Sequence, residues 1–244
     1  MNACFEVKGK DPVAVSKKRE PEYILTPLAS NAPKINAPYI YGARPGKPFL
    51  FTVPISGARP LNVEAGNLPD GLSIDAQTGI ISGTAKEKGT YLVDVVAENS
   101  YGKDTQKLTL EIGDKLALTP PMGLSTWNVF GDDIDDAKIR RMADAMVETG
   151  LINYGYAYIN IDDGWQGERG GKYHAIMPNE KFPDMKGLVD YVHSKGLKIG
   201  IYSSPWVETF AGYIGGGADT RDGKVVNSSK RYGEYSFVKN DVQQ

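Results

Sequence analysis

One succession occurs twice in the second half of this chain and limits its fold more than any other feature: an amphipathic helix, a Gly-Leu pair and an apolar strand. In "DAKIRRMADAMVETG", Ile139, Met142, Ala143, Met146 and Val147 fall at i, i+3, i+4, i+7 and i+8, the spacing of one helical face. Gly150 stands where a helix of that length needs a left-handed backbone to stop, and "LINYGYAYINIDD" follows as a buried strand. The order returns with Met185, Leu188, Val189 and Val192, then Gly196, then the strand "LKIGIYSS". "MGLSTWNVF" supplies a strand before the first helix, and a further helix begins near "KRYGEYSFVKNDVQQ". Strand–helix–strand repetition builds a parallel sheet with right-handed crossovers. The stretch from residue 114 to 244 is about half of the ~250 residues that a (β/α)8 barrel occupies. The expectation is therefore the first part of a TIM barrel, about three strands, with the chain cut partway through it.

Residues 24 to 112 follow a different period. Phe49, Phe51 and Val53 alternate, as do Tyr91, Val93, Val95 and Ala97, with Asp94 and Glu98 on the opposite face. Leu108, Leu110 and Ile112 alternate with Lys107, Thr109 and Glu111. Period two marks half-buried antiparallel strands. Turn residues at Pro45-Gly46, Pro69-Asp70-Gly71, Thr78-Gly79, Lys88-Gly89 and Tyr101-Gly102 separate them, which argues an all-β sandwich. The domain organisation read from these periods is a polar, solvated tail over 1–22, a sandwich over 23–113 and an incomplete barrel over 114–244.

Composition excludes more than it identifies. Of 244 residues 24% are charged, yet the net charge is only −2, so no electrostatic footprint for nucleic acid exists. No apolar run approaches the roughly 18 residues of a membrane helix. The one cysteine, Cys4, permits no internal disulfide, and "MNACFEVKGK" lacks the apolar centre of a signal peptide. Oligomeric state is not legible.

In parallel α/β folds ligands bind at the carboxyl ends of the strands. Those ends here carry Trp127 and Asn128, then Asp162, Asp163 and Trp165, then Tyr202, Ser203 and Trp206. Aromatic faces beside carboxylates suit a sugar: its C–H face stacks on rings, and its hydroxyls donate to ionised acceptors. Two other clusters have simpler readings. Asp132, Asp133, Asp135 and Asp136 sit at a helix start, where carboxylates meet unpaired N–H groups, so they read as a cap and not as a metal site. His174 and His193 have no ligand or triad partner at recognisable spacing, and "YIGGGADT" lacks the lysine of a phosphate loop. No metal or cofactor is expected.

Two resemblances add to this. "NLPDGLSIDAQTGIISGTAKEKGTYLVDVVAENSYG" resembles the immunoglobulin-like repeat of bacterial surface and secreted proteins. "LTPPMGLSTWNVFG", "ADAMVETGLINYGYAYINIDDGWQ" and "FPDMKGLVDYVHSKGLKIGIYSSP" resemble, in order and spacing, the α-galactosidase and α-N-acetylgalactosaminidase family of retaining glycoside hydrolases. That resemblance implies a (β/α)8 domain acting without cofactor on terminal α-linked galactose of oligo- or polysaccharides. It implies a bacterial protein that is secreted or periplasmic. It places Trp127 against the sugar, has Asp162 and Asp163 accept hydrogen bonds from its hydroxyls, and lines the pocket with Tyr202. The sequence departs from the family at Leu124, where many members have tryptophan, and at Gly164, where many have cysteine. The loop after the third strand is longer and richer in glycine.

Retaining hydrolysis needs two carboxyls about 5–5.5 Å apart. The family's nucleophile motif ends the fourth strand, and its acid/base lies further on; both are expected beyond Gln244. Asp162 and Asp163 cannot easily flank one glycosidic bond as that pair, because neighbouring strand residues point to opposite faces. The chain alone is thus expected to bind and not to cut. Two alternatives stand beside this: a non-catalytic module that binds glycan or protein, and a related α-glycosidase of different sugar specificity.

Overall fold

A computed structural model describes residues 29–216 apart from 116, 174 and 207. The tail over 1–22, the helix expected near 230–244 and His174 lie outside the described residues. The chain first forms β1 (Lys34–Ile35), β2 (Ile40–Ala43), β3 (Phe49–Thr52), β4 (Ile55–Ser56), β5 (Asn62–Gly66), β6 (Leu72–Ile74), β7 (Ile80–Gly83), β8 (Gly89–Asn99) and β9 (Gly102–Ile112). Two sheets, ordered β2-β9-β8-β5 and β3-β7-β6, make an immunoglobulin-like sandwich, and β1 pairs with β4 beside them.

The alternating residues close its core. Val93, Val95 and Ala97 of β8 and Leu108, Leu110 and Ile112 of β9 are no more than 1% exposed, and Phe49, Phe51 and Val53 are buried with them. β8 and β9 pair antiparallel along their whole length, from Gly89 opposite Ile112 to Asn99 opposite Gly102. One strand departs from the antiparallel expectation: β2 runs parallel to β9, with Tyr41 opposite Leu110. No hairpin joins β2 and β9, so nothing forces them to run in opposite directions.

Beyond the sandwich come β10 (Gly123–Ser125), the single helical turn α1 (Trp127–Phe130), α2 (Asp136–Glu148), β11 (Tyr158–Ile161), β12 (Gln166–Gly170), β13 (Ala175–Pro178), α3 (Met185–Ser194) and β14 (Lys198–Ile201). β10, β11 and β14 are adjacent and parallel, with Leu124 opposite Ile159 and Ile159 opposite Ile199. These are the first three strands of the barrel. Ile139, Ala143 and Met146 of α2 and Leu188 and Val192 of α3 bury one face against Ile159 and Ile161. Val147, the fifth residue of the expected face, is exposed in the last turn of α2. Both helices stop as expected, at Gly150 with φ 75° and Gly196 with φ 76°. Across them, Lys195 and the Tyr191 hydroxyl bind the Asp144 carboxylate at 2.7 and 2.6 Å and hold it below the usual carboxylate range.

Three local readings change. "LINYGYAYINIDD" is not one strand: Leu151–Tyr154 is a 3₁₀ turn between Gly150 and Gly155, both left-handed, and the strand starts at Tyr158. "MGLSTWNVF" holds only three strand residues, since Trp127 already lies in α1. The antiparallel hairpin β12–β13 replaces what read as loop. Gly123 is required where it stands, because a Cβ there would lie 1.9 Å from the Tyr158 carbonyl oxygen.

Side-chain hydrogen bonds fasten the sandwich to the barrel part, three of them donated by sandwich side chains. Thr52 Oγ1 donates to the Gly196 carbonyl at 2.7 Å, Asn36 Nδ2 to the Asn153 carbonyl at 2.9 Å and Arg59 Nη2 to Asn153 Oδ1 at 2.8 Å. Contact falls at the amino-terminal ends of the parallel strands, where Lys198 reaches Tyr41. The carboxyl ends stay clear of the sandwich.

Candidate functional site

Register decides what gathers at the carboxyl ends. Ser125 stands opposite Asn160, and Asn160 opposite Gly200, so alternation carries Asp162 and Tyr202 onto that same face two residues on. Gly200 leaves room for Asn160: a Cβ there would meet its Oδ1 at 2.5 Å.

Asp162 is half-buried and oriented by β10. Ser125 Oγ donates to Asp162 Oδ2 at 3.1 Å. The buried Thr126 makes no side-chain cap to α1; its Oγ1 instead accepts from the Asp162 N–H at 2.9 Å. Asp162 Oδ1 accepts from the Asp163 N–H at 2.9 Å. The carboxylate keeps acceptor capacity toward solvent, since an ionised carboxylate takes about four hydrogen bonds.

Asp163 is placed otherwise. It is 1% exposed, its Oδ1 accepts from the Gly164 N–H at 3.1 Å and its Oδ2 from the Ala211 N–H at 2.7 Å. Adjacent in sequence, the two acids face different surroundings and make no facing pair. Gly164 turns the chain with φ 106°, and a Cβ there would crowd the Asp132 backbone at 3.0 Å.

The third strand closes the rim. The Tyr202 N–H donates to the Ile161 carbonyl at 2.8 Å, and the Tyr202 carbonyl accepts from Trp165 Nε1 at 2.8 Å and Gln166 Nε2 at 3.2 Å. Trp127 meets Phe210 edge to face, with ring centroids 5.6 Å apart. Since Ala211 is bound to Asp163, a closed circuit runs from Trp127 through Phe210 and Ala211 to the acids. Trp127, Asp162, Asp163 and Tyr202 thus all lie at one end of three adjacent strands.

Sequence reasoning missed Ser125, Thr126, Gln166 and Phe210. Ser125 and Thr126 sat inside a quoted motif, but only strand register shows that they hold Asp162. Phe210 had no signal at all. The acidic run behaves as a helix cap: Asp135 accepts from the Lys138 N–H at 2.7 Å, and Asp133 pairs with the Lys138 ammonium, which holds it below the usual carboxylate range. His193 is exposed in the last turn of α3. Among the described residues no helix is long and apolar enough to cross a membrane.

Residues 119–228 match the family described as "Alpha galactosidase A", and residues 30–113 match the "Putative Ig domain". Over 119–228, a little under half of the chain, the similarity is to the alpha-galactosidase family. The alpha-galactosidase A of Cellvibrio japonicus is 52% identical over 103 residues, 42% of this chain and 26% of that protein. The alpha-galactosidase of Cyamopsis tetragonoloba is 45% identical over 117 residues, 46% of this chain and 28% of its own length. The chain therefore spans little more than a quarter of the curated alpha-galactosidases it matches. Two crystal structures from Bacteroides fragilis are similar over more of it. A "putative alpha-galactosidase/melibiase" superposes with a TM-score of 0.73 at 48% identity, covering 77% of this chain and 41% of its own. A "putative alpha-galactosidase" gives 0.74 at 44%, covering 79% and 42%. Coverage of that extent takes in sandwich and barrel together, so the pairing of the two parts in an alpha-galactosidase-like chain recurs in both.

Proposed function

We propose that this chain carries the sugar-gripping side of a retaining hydrolase acting on terminal α-linked galactose of oligo- or polysaccharides. The observation that supports it is the convergence of Trp127, Asp162 and Tyr202 at the carboxyl ends of three register-matched parallel strands. In this reading Asp162 accepts from sugar hydroxyls while Ser125 fixes its rotamer. Such charge-assisted bonds are stronger than neutral ones. Trp127 offers its ring to the sugar's C–H face and Tyr202 lines the opposite wall. Asp163, expected from the resemblance to accept from the sugar as well, is 1% exposed and bonded to the Gly164 and Ala211 N–H groups, so in this reading it holds the rim from behind. We assign the nucleophile and the acid/base to other strands of the barrel, since Asp162 and Asp163, the carboxylates at the ends of these three strands among the described residues, face different surroundings. We place the whole protein outside the cytoplasm of a bacterium, secreted or periplasmic, and take residues 23–113 as its spacer or docking domain, with the barrel from residue 114.

The test is galactose binding to the 244-residue chain, read by tryptophan fluorescence, with glucose as the competitor. Galactose is expected to bind and Asp162→Asn to weaken it by about tenfold, the loss of one charge-assisted bond. A chromogenic α-galactoside is expected to remain intact. Unchanged galactose affinity in Asp162→Asn, or repeated turnovers that this substitution abolishes, would show the roles to be misassigned.

A further inference from the structure

At the face opposite the sugar rim, a cavity of about 210 Å³ lies between the sandwich and the barrel strands. Tyr41, Phe51 and Pro54 line it from the sandwich, and Met122, Tyr158 and Lys198 from the barrel. Lys198 is the first residue of β14, and burial lowers its pKa to about 8. Its ammonium donates to the Tyr41 and Tyr158 hydroxyls and sits over both rings, 4.2 and 5.1 Å from their centroids. Asp and Glu are absent from the described lining.

The donors and acceptors here do not balance. An ammonium has three protons and no lone pair, and a phenol that accepts from it still has its own proton to place. Among the described residues neither tyrosine hydroxyl donates to anything, and Lys198 has no hydrogen-bond acceptor beyond those two oxygens. Both threonine hydroxyls of the lining are already spent, Thr52 Oγ1 on Gly196 and Thr119 Oγ1 on Ile40, and Tyr154, the remaining phenol of the lining, is 48% exposed. One ammonium and two phenol protons therefore converge, with one positive charge, on a mostly apolar space. Buried charge of this kind is costly unless paired.

We infer that the junction between sandwich and barrel is a binding site for a small monocarboxylate with an apolar body, its carboxylate on Lys198, Tyr41 and Tyr158 and its body against Phe51, Pro54 and Met122. An apolar pocket with a few convergent polar groups is the usual form of a small-molecule site. The ligand touches both parts of the chain and lies at the opposite end of β14 from Tyr202, so it bridges the domains without entering the sugar site. The charged groups of the described lining reduce to Lys198, with Tyr41, Tyr154 and Tyr158 as the titratable neighbours.

Benzoate is the probe, added to the whole chain, with the rise in melting temperature and a titration as readouts. Benzoate is expected to stabilise at about pH 7 and to lose most of its effect at about pH 9.5, where Lys198 is largely neutral. Benzyl alcohol, of like shape without the charge, is expected to have little effect. Tyr158→Phe, which keeps the ring, is expected to weaken benzoate several-fold, and Lys198→Met by about tenfold or more. Equal stabilisation by benzyl alcohol, an unchanged affinity in both variants, or the same effect from formate would overturn the assignment.

Discussion

The carboxylate of Asp163 accepts a 2.7 Å hydrogen bond from the backbone N–H of Ala211, 48 residues away. That bond ties the end of β11 to the loop after β14 and sets Phe210 beside Trp127. Asp163→Ala removes the acceptor of the half-buried Ala211 N–H, while the Gly164 N–H keeps Gln166 Oε1 at 3.0 Å. We expect a loss of about 1–3 kcal/mol of stability, measured by thermal melting. Faster amide exchange at Ala211 is expected with it. Unaltered protection there would show that something else holds the loop.

Asp162 should behave in the opposite way. It is half-buried, and Asn in its place can still accept from the Asp163 N–H through Oδ1 while its Nδ2 donates to Ser125 Oγ. Asp162→Asn is expected to change stability by no more than about 0.5 kcal/mol, the range of ordinary surface substitutions, while weakening galactose binding by about tenfold. A large drop in melting temperature would make Asp162 a structural acid.

Gly123 and Gly46 separate two uses of glycine. A Cβ on Gly123 would overlap the Tyr158 carbonyl at 1.9 Å, whereas one on Gly46, at φ 69°, meets nothing within 4 Å. Gly123→Ala must push β10 from β11 and is expected to cost about 3 kcal/mol or more, beyond ordinary overpacking. Gly46→Ala is expected to cost about 1 kcal/mol, the left-handed backbone penalty alone. Denaturant midpoints compare the two, and equal losses would contradict the close approach of β10.

Lys198 gives a pH dependence whose sign follows from the direction of its shift. Burial lowers its pKa from 10.5 to about 8, so between those values the unfolded chain binds more protons than the folded one. Stability therefore rises with pH across that window, and below about pH 8 the penalty is fully present, on the order of 3 kcal/mol. Lys198→Met is expected to stabilise the ligand-free chain most at neutral pH, with the gain fading as pH approaches 10.5. Chemical denaturation at several pH values measures it; a gain that is constant with pH would mean that the ammonium is not desolvated.

Much of the architecture was legible because the signals are local. The faces Ile139–Ala143–Met146 and Leu188–Val192 repeat at helical spacing, and Gly150 and Gly196 mark both ends through a conformation that costs glycine little. The alternation of Val93, Val95 and Ala97 declared a strand with one buried side. The hairpin β12–β13 was not legible. Its sequence, "QGERG" and "AIMP", is short, rich in glycine and only partly buried, so it lacks the apolar period that would show a strand. At the site the sequence placed Trp127, Asp162, Asp163 and Tyr202 at strand ends, and the structure brings them to one rim.

The sequence by itself determined the order of elements, the two hydrophobic cores and which residues end the parallel strands, since each depends on spacing within about ten residues. The tertiary structure alone decided that Asp162 looks outward while Asp163 is sealed by Ala211, and that Lys198 is enclosed by Tyr41, a partner 157 residues earlier. Burial of a polar side chain is set by whatever packs over it from elsewhere in the chain, and no local pattern records that arrival.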